Sequence, residues 1–315
     1  MAYTVVRFSH AERVAWGIVR DGRVSPIVGD FPTTGDFVLH VATGPPVLAP
    51  GDLDLAAVTI LSPVTRNQQF VCLGANYRQH MIESGVDPDA KTFNMVFRKA
   101  SSCIVPGDSD VVRPRRVRFL DYEIELGLVI RRELTAPTVV TDANLHEVVA
   151  GAVIVNDYTA RDIQIPEMQF YKGKSFRTFG TVGPYLCMLE PGDMPALKDL
   201  RLTLKVNGEV RQSDTTGNLV HGPADTLTEL SGVHDLFPGD LLATGTPAGC
   251  ALSIPSPLMQ RIAALLPERM KWDAFLRVQA SRPQYLKPGD VVEASIRSAD
   301  GAIDLGVQRN RIVEE

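Results

Sequence analysis

FLDYEIELGLVI, residues 119–130, is rich in β-forming side chains, and a strand sends successive side chains to opposite faces. Ile124, Leu126 and Leu128 then share one face and ask for burial, while Glu123 and Glu125 share the other, continued by Gly127 and Val129. Two like charges this close must share a proton, meet cationic partners or bind a cation. On periodicity alone the stronger reading is a solvated strand face, salt-bridged to Arg116 or Arg118. Asp157 shifts that balance. It ends the apolar run GAVIVN, where a buried strand would deliver a side chain to the end of a sheet, although an N-cap role before TARD is open to it. Three carboxylates without a histidine favour a hard, oxygen-preferring ion, Mg²⁺, Mn²⁺ or Ca²⁺, over zinc or copper.

Outward from that strand the chain reads as β-dominated. TVVRF, WGIV and RVSPIV surround the turn signal Asp21-Gly22 and mark a small β-rich N-terminal domain, 1–62, ahead of a larger part, 63–315. Pro-Gly-Asp begins at 50, 106, 191, 238 and 288. The uneven intervals argue against a repeat protein and for tight turns ahead of strands. Asn207-Gly208 and Asp300-Gly301, each inside an alternating stretch, predict hairpins. Helices are fewer: PADTLTELSGVHDLF, with Pro223 in its first turn, and PLMQRIAALLPERM are the best candidates.

The bulk numbers narrow the function. In 315 residues, 44% are hydrophobic and 22% charged, the composition of an ordinary globular protein. A net charge of -5, from 32 Lys+Arg against 37 Asp+Glu, offers no basic field for nucleic acid or an anionic membrane. Cys72, Cys103, Cys187 and Cys250 form no CxxC pair, so reduced, buried thiols are expected rather than zinc or redox chemistry. The first residues do not read as a signal peptide and no window approaches a membrane span, so the expectation is a cytoplasmic protein. GxSxG, HExxH and GxGxxG are all missing, which disfavours serine-esterase, metalloprotease and dinucleotide readings. GKS at 173–175 is no phosphate loop, because Met168 stands where that motif needs glycine. His80 and Glu83 are three apart, as are Arg161 and Gln164, so each pair shares a helix face if a helix forms there; an ordinary surface helix capped by Asn76 is the plainer reading of the first.

FVCLGANYRQHMIESG (70–85), FRKASS (97–102), LDYEIELGLVI (120–130), IVNDYTARDIQ (154–164), GKSFRTFGTVGP (173–184) and LFPGDLLATGTPAG (236–249) together resemble, in this order, the fumarylacetoacetate hydrolase family in its acylpyruvate hydrolase-like branch. The resemblance implies an α+β, β-dominated fold, a sandwich roll of layered mixed sheets, with Mg²⁺ or Mn²⁺ and a homodimer. It makes Glu123, Glu125 and Asp157 the metal ligands. Arg161, Gln164, Thr246 and Lys99 would contact substrate, and His80, Glu83 and Lys174 would be catalytic, with Glu83 orienting His80 to activate water and Lys174 neutralising an oxyanion. The implied activity is hydrolysis of a C–C bond in a small acylpyruvate-type 1,3-dicarbonyl acid, such as a fumarylpyruvate- or maleylpyruvate-like product of aromatic catabolism. A decarboxylase, hydratase or isomerase of related oxo acids is the alternative within the family, and a non-catalytic metal-stabilised binding protein is the alternative outside it. Tyr171 and Arg177 depart from the family's usual Trp and Asp, and 250–287 is long enough to predict a helical insertion. His10, His40, His146, His221 and His234 match no motif and are read as structural or solvated.

Overall fold

The computed structural model describes residues 2–254 and 265–315. Its turns follow the local chemistry. Asn207 and Gly208 sit at φ of 52° and 82°, the left-handed pair that a two-residue hairpin between twisted strands requires, and they join Arg201–Val206 to Glu209–Thr215. Asp300-Gly301 lies in the connection between the antiparallel strands Val291–Arg297 and Asp304–Glu314. Of the Pro-Gly-Asp copies, those at 50, 238 and 288 turn through glycines of positive φ; Pro106 instead closes the short strand Ile104–Pro106, and Pro191 opens a 3-10 helix, Pro191–Lys198.

Among the described residues thirteen strands form one mixed sheet. Ten of them run in the order Leu53–Asp54, Arg23–Pro26, Arg13–Arg20, Tyr3–His10, Leu186–Met188, Val149–Asp157, Ile124–Ile130, Leu241–Ala243, Phe70–Gly74 and Met95–Lys99, while Thr59–Leu61, Ile104–Pro106 and Gly180–Val182 pair off this path. The N-terminal strands join the rest through Tyr3–His10, whose Val5 lies opposite Leu186. A second sheet of five strands includes both hairpins and ends on Val111–Arg113. These are the layered mixed sheets that the sequence led us to expect.

Every residue of Ile124–Ile130 is buried, because the strand lies in mid-sheet with a core on each face. Ile124, Leu126, Leu128 and Ile130 pack with Leu202, Leu204 and Ile296 of the five-stranded sheet. Val129 packs on the opposite side with Val153, Phe70 and Leu241, beneath Trp16 and Phe37, whose rings stack at 4.1 Å. Each such aliphatic side chain gains about 2 kcal/mol on burial.

The helix Pro223–Ser231 starts on Pro223 as predicted. For the second candidate, PLMQRIAALLPERM, residues 257–264 lie outside the described residues. Within 250–287 a helix does form at Glu268–Ala280. Only its Gln279 is buried, and this side chain pins the helix by donating to the Ser253 carbonyl at 2.8 Å and accepting from the Tyr285 hydroxyl at 2.7 Å. The four cysteines are free and buried. Among the described residues no helix is long and apolar enough to cross a membrane.

Candidate active site

Val149–Asp157 runs antiparallel to Ile124–Ile130, with Glu125 opposite Val155, so the last residue of one strand lies beside the first of the other. The Asp157 N–H donates to the Glu123 carbonyl at 2.8 Å. Beyond that point side-chain amides replace the ladder: Asn156 Oδ1 accepts from the Glu123 N–H at 3.0 Å and Gln212 Oε1 from the Ile124 N–H at 3.1 Å. One oxygen from each of Glu123, Glu125 and Asp157 can be chosen so that all three lie within 4.8 Å of one another. Asp157 caps no helix, since Arg161–Gln164 begins after Ala160 without a side-chain cap.

The reading of a solvated acidic face is overturned. Glu123 and Glu125 are 5% and 1% exposed, and Arg116 and Arg118 lie over the rings of Phe176 and Phe119 instead. Three other cations meet the acids. Lys174 Nζ donates to Glu123 Oε2 and Asp157 Oδ2, each at 2.6 Å, and to Thr159 Oγ1 at 2.9 Å. Arg161 bonds Asp121 and Gln164, each at 2.8 Å, and Glu123. Lys99 bonds Asp157 and, at 2.8 Å, the Phe179 carbonyl.

Four buried carboxylates (Asp121, Glu123, Glu125 and Asp157) therefore face three cations. The unbalanced one is Glu125, which among the described residues has no ion-pair partner and accepts from the Gly245 N–H at 2.9 Å. Burial, then Asp157 and Glu123, push its pKa well above the ordinary carboxylate range. Burial also opposes charge on Glu123, but Arg161 and Lys174 outweigh it and hold that carboxyl at about 2. A buried carboxyl without a cation carries a proton or takes a metal. The triad's all-oxygen donor set fits a hard divalent ion with open positions, so these residues can hold such an ion.

A cavity of about 210 Å³ opens onto Glu123 and Glu125. Arg161, Gln164, Lys174, Thr246 and His80 also line it, with Leu73, Phe97 and Phe170 as apolar walls. Gly173 packs so tightly on Gln164 that a Cβ there would meet the Gln164 Cβ at 2.7 Å; this contact sets the helix Phe170–Lys174 against Arg161–Gln164. Thr246 Oγ1 donates to the Ile124 carbonyl at 2.9 Å and accepts from Gln212 at 2.9 Å. Lys99 does not line the cavity and serves Asp157 instead.

His80 and Glu83 share the short helix Arg78–Glu83. Its N-cap is Tyr77, not Asn76, whose amide donates to the His221 and Thr244 carbonyls at 3.0 Å each. Burial lowers the His80 pKa below the ordinary imidazole value, with Glu123 partly opposing. The exposed Glu83 accepts from the Gly249 N–H at 3.4 Å, and no hydrogen bond joins it to His80 among the described residues. None of the other five histidines lines this cavity.

Sequence reasoning missed Asp121, Asn156 and Gln212. Asp121 accepts from the N–H groups of Tyr122 (2.9 Å), Ala251 (2.7 Å) and Leu252 (3.0 Å) as well as from Arg161, and Leu252 and Ile254 form part of the cavity wall. Residues 251–254 thus close one side of the site.

Layered mixed sheets thus surround a buried carboxylate triad, with cations and an imidazole gathered at one cavity. The fumarylacetoacetate (FAA) hydrolase C-terminal family matches residues 69–313, and the chain belongs to the fumarylacetoacetate hydrolase family. It is 34% identical over 210 residues to an oxaloacetate tautomerase of Bacillus subtilis, covering 66% of this chain and 68% of that one. It is 31% identical over 319 residues to a 2,4-didehydro-3-deoxy-L-rhamnonate hydrolase of Sphingomonas, covering 98% and 95%. The solved fumarylacetoacetate hydrolase of Exiguobacterium antarcticum superposes with a TM-score of 0.76 at 26% identity, over 99% of this chain and 100% of that one.

Proposed function

We propose that this enzyme interconverts the keto and enol forms of a small 2-oxo diacid of the oxaloacetate type. The observation that carries the reading is His80, which lines the same small cavity as Glu123 and Glu125 and makes no hydrogen bond to Glu83 among the described residues; burial also lowers its pKa below the ordinary imidazole value. Glu123, Glu125 and Asp157 would hold Mg²⁺ or Mn²⁺, which would supply Lewis-acid polarisation of the 2-oxo carbonyl. His80 takes the C3 proton and returns it to the 2-oxygen, while Lys174 and Arg161 donate to the negative charge that develops between those steps. Gln164 and Thr246 orient the acid. The B. subtilis tautomerase supports this choice of substrate.

The test follows decay of enol oxaloacetate with Mg²⁺, with Mn²⁺ and after exhaustive EDTA treatment. Metal-dependent acceleration is expected, falling about 100-fold or more in His80→Ala. Undiminished activity without metal, or a His80→Ala rate within a few-fold of wild type, overturns the proposal.

C–C hydrolysis of an acylpyruvate is the second reading, favoured by Glu83 one helical turn beyond His80 and by the Sphingomonas hydrolase. Here Glu83 would leave the Gly249 N–H to orient His80 towards a water, which attacks the distal carbonyl. Fumarylpyruvate incubated with the enzyme, with products identified by mass, separates the two; pyruvate released from oxaloacetate would mark decarboxylation. We also propose a homodimer, which light scattering checks, a domain division near residue 62, and cytoplasmic residence.

A further inference from the structure

A second cleft, of about 360 Å³, lies away from the triad and is lined by Arg7 and Arg66. Ser62 and Thr65 add hydroxyls, and Leu61, Val64 and Ile104 add apolar surface. Among the described residues no carboxylate lines it. Arg7 stands on the strand Tyr3–His10 opposite Leu61, and its Nε is buried without a hydrogen-bond partner. Its guanidinium makes no ion pair among the described residues, and burial alone lowers its pKa. Arg66 is fixed at the rim, where its Nε donates to the Ile104 carbonyl at 3.0 Å.

A buried arginine nitrogen without an acceptor, as at Arg7 Nε, is costly, and arginine forks normally meet a carboxylate or phosphate. Here two forks share a cleft with no acid to answer them. We propose that this cleft binds a small oxyanion, a phosphate or a carboxylate with a short apolar tail, through Arg7 and Arg66. The apolar floor takes the tail. The cleft is a binding site and not a second catalytic centre: the Ser62 hydroxyl already donates to the Val64 carbonyl at 2.9 Å and that of Thr65 to Asn67 at 2.6 Å, and no imidazole, thiol or carboxylate lines it. The cleft is linked to the triad only through the sheet. Ile104 lies opposite Gly180, and Gly180 opposite Asp157.

The test titrates the full chain with inorganic phosphate and, separately, with butyrate, at ionic strength held constant with chloride, reading bound anion by calorimetry. Because the catalytic cavity also holds cations, wild type is compared with Arg7→Gln, Arg66→Gln and Lys174→Gln. Saturable binding is expected, weakened about tenfold or more by either arginine substitution and retained in Lys174→Gln. Binding of phosphate only, or of butyrate only, supports the site and names its preferred head group. No saturable binding of either anion overturns the proposal, as does loss confined to Lys174→Gln, which would place the anion at the triad. Having no partner to lose, Arg7→Gln should melt in chloride no lower than wild type; Arg7→Lys, which keeps the charge but not the fork, is the second variant should Arg7→Gln not fold. If Arg7→Gln changes the oligomeric state, the cleft is a contact between copies and the proposal fails.

Discussion

Arg161 Nε donates to Asp121 Oδ2 at 2.8 Å, and both side chains are buried beside the cavity. The same carboxylate takes the Ala251 and Leu252 N–H groups, so one acid orients a cation of the site and fastens the wall that Leu252 and Ile254 provide. Asp121→Asn removes the charge and points an amide N–H at donors. Loss of one partner from such a pair costs about 3 kcal/mol or more, read as a lower urea midpoint. We expect KM to rise more than kcat falls, since Arg161 loses the group that aims it; unchanged stability and KM would refute this role.

Glu125→Gln separates the two ways of balancing the site's charge. In EDTA the variant should melt at or above wild type, because it replaces a carboxyl that burial and its acidic neighbours already disfavour as an anion. With Mg²⁺ the wild type gains stability as metal binds the folded state only, and the variant should lose most of that gain. Equal stabilisation of both by Mg²⁺ would exclude Glu125 as a ligand.

The depressed Glu123 fixes a sign for acid unfolding. Its folded pKa of about 2 lies below the ordinary 4.5, so the unfolded chain takes up the proton first as pH falls. Its contribution is complete above about pH 4.5 and is lost between there and about pH 2. Glu125 works oppositely in metal-free protein. Its raised pKa makes the folded state the better proton binder, so stability falls as pH rises above 4.5, and bound metal should abolish that slope. Urea midpoints against pH, with EDTA and with Mg²⁺, check both signs.

Gly173→Ala tests the packing that places Lys174. The new Cβ would meet the Gln164 Cβ at 2.7 Å and its Cα at 2.9 Å, forcing Arg161–Gln164 and Phe170–Lys174 apart. We expect a loss of about 1–3 kcal/mol together with reduced activity. Wild-type melting and kinetics would show that the helices tolerate separation.

Much of this architecture was legible because it is local. Asn207-Gly208 selects its own turn, Pro223 its own helix start, and the alternation of Ile124, Leu126 and Leu128 its own buried face. What covers the opposite face is not local: the period of two says that Glu123 and Glu125 point together, but their partners Arg161 and Lys174 arrive from later in the chain. Motif order, not periodicity, pointed to those cations. Asp121, Asn156 and Gln212 went unread for a related reason, since each satisfies backbone N–H groups 33 to 131 residues away, and no spacing rule links such positions. The resemblance put Lys99 on substrate, and its acceptor, Asp157, lies 58 residues away where no spacing rule links the two.

The strand Leu241–Ala243 sits between Ile124–Ile130 and Phe70–Gly74, antiparallel to the first and parallel to the second. While the chain is still emerging from the ribosome, both neighbours are made long before the segment that joins them. The nascent protein therefore carries two apolar strands with unpaired edges until residue 243 is released, the condition under which chaperones are engaged and aggregation competes. A chain stopped between residues 130 and 241 cannot bridge those two strands, so such premature termination should yield insoluble product, read by sedimentation of the expressed fragment, and not a smaller working enzyme.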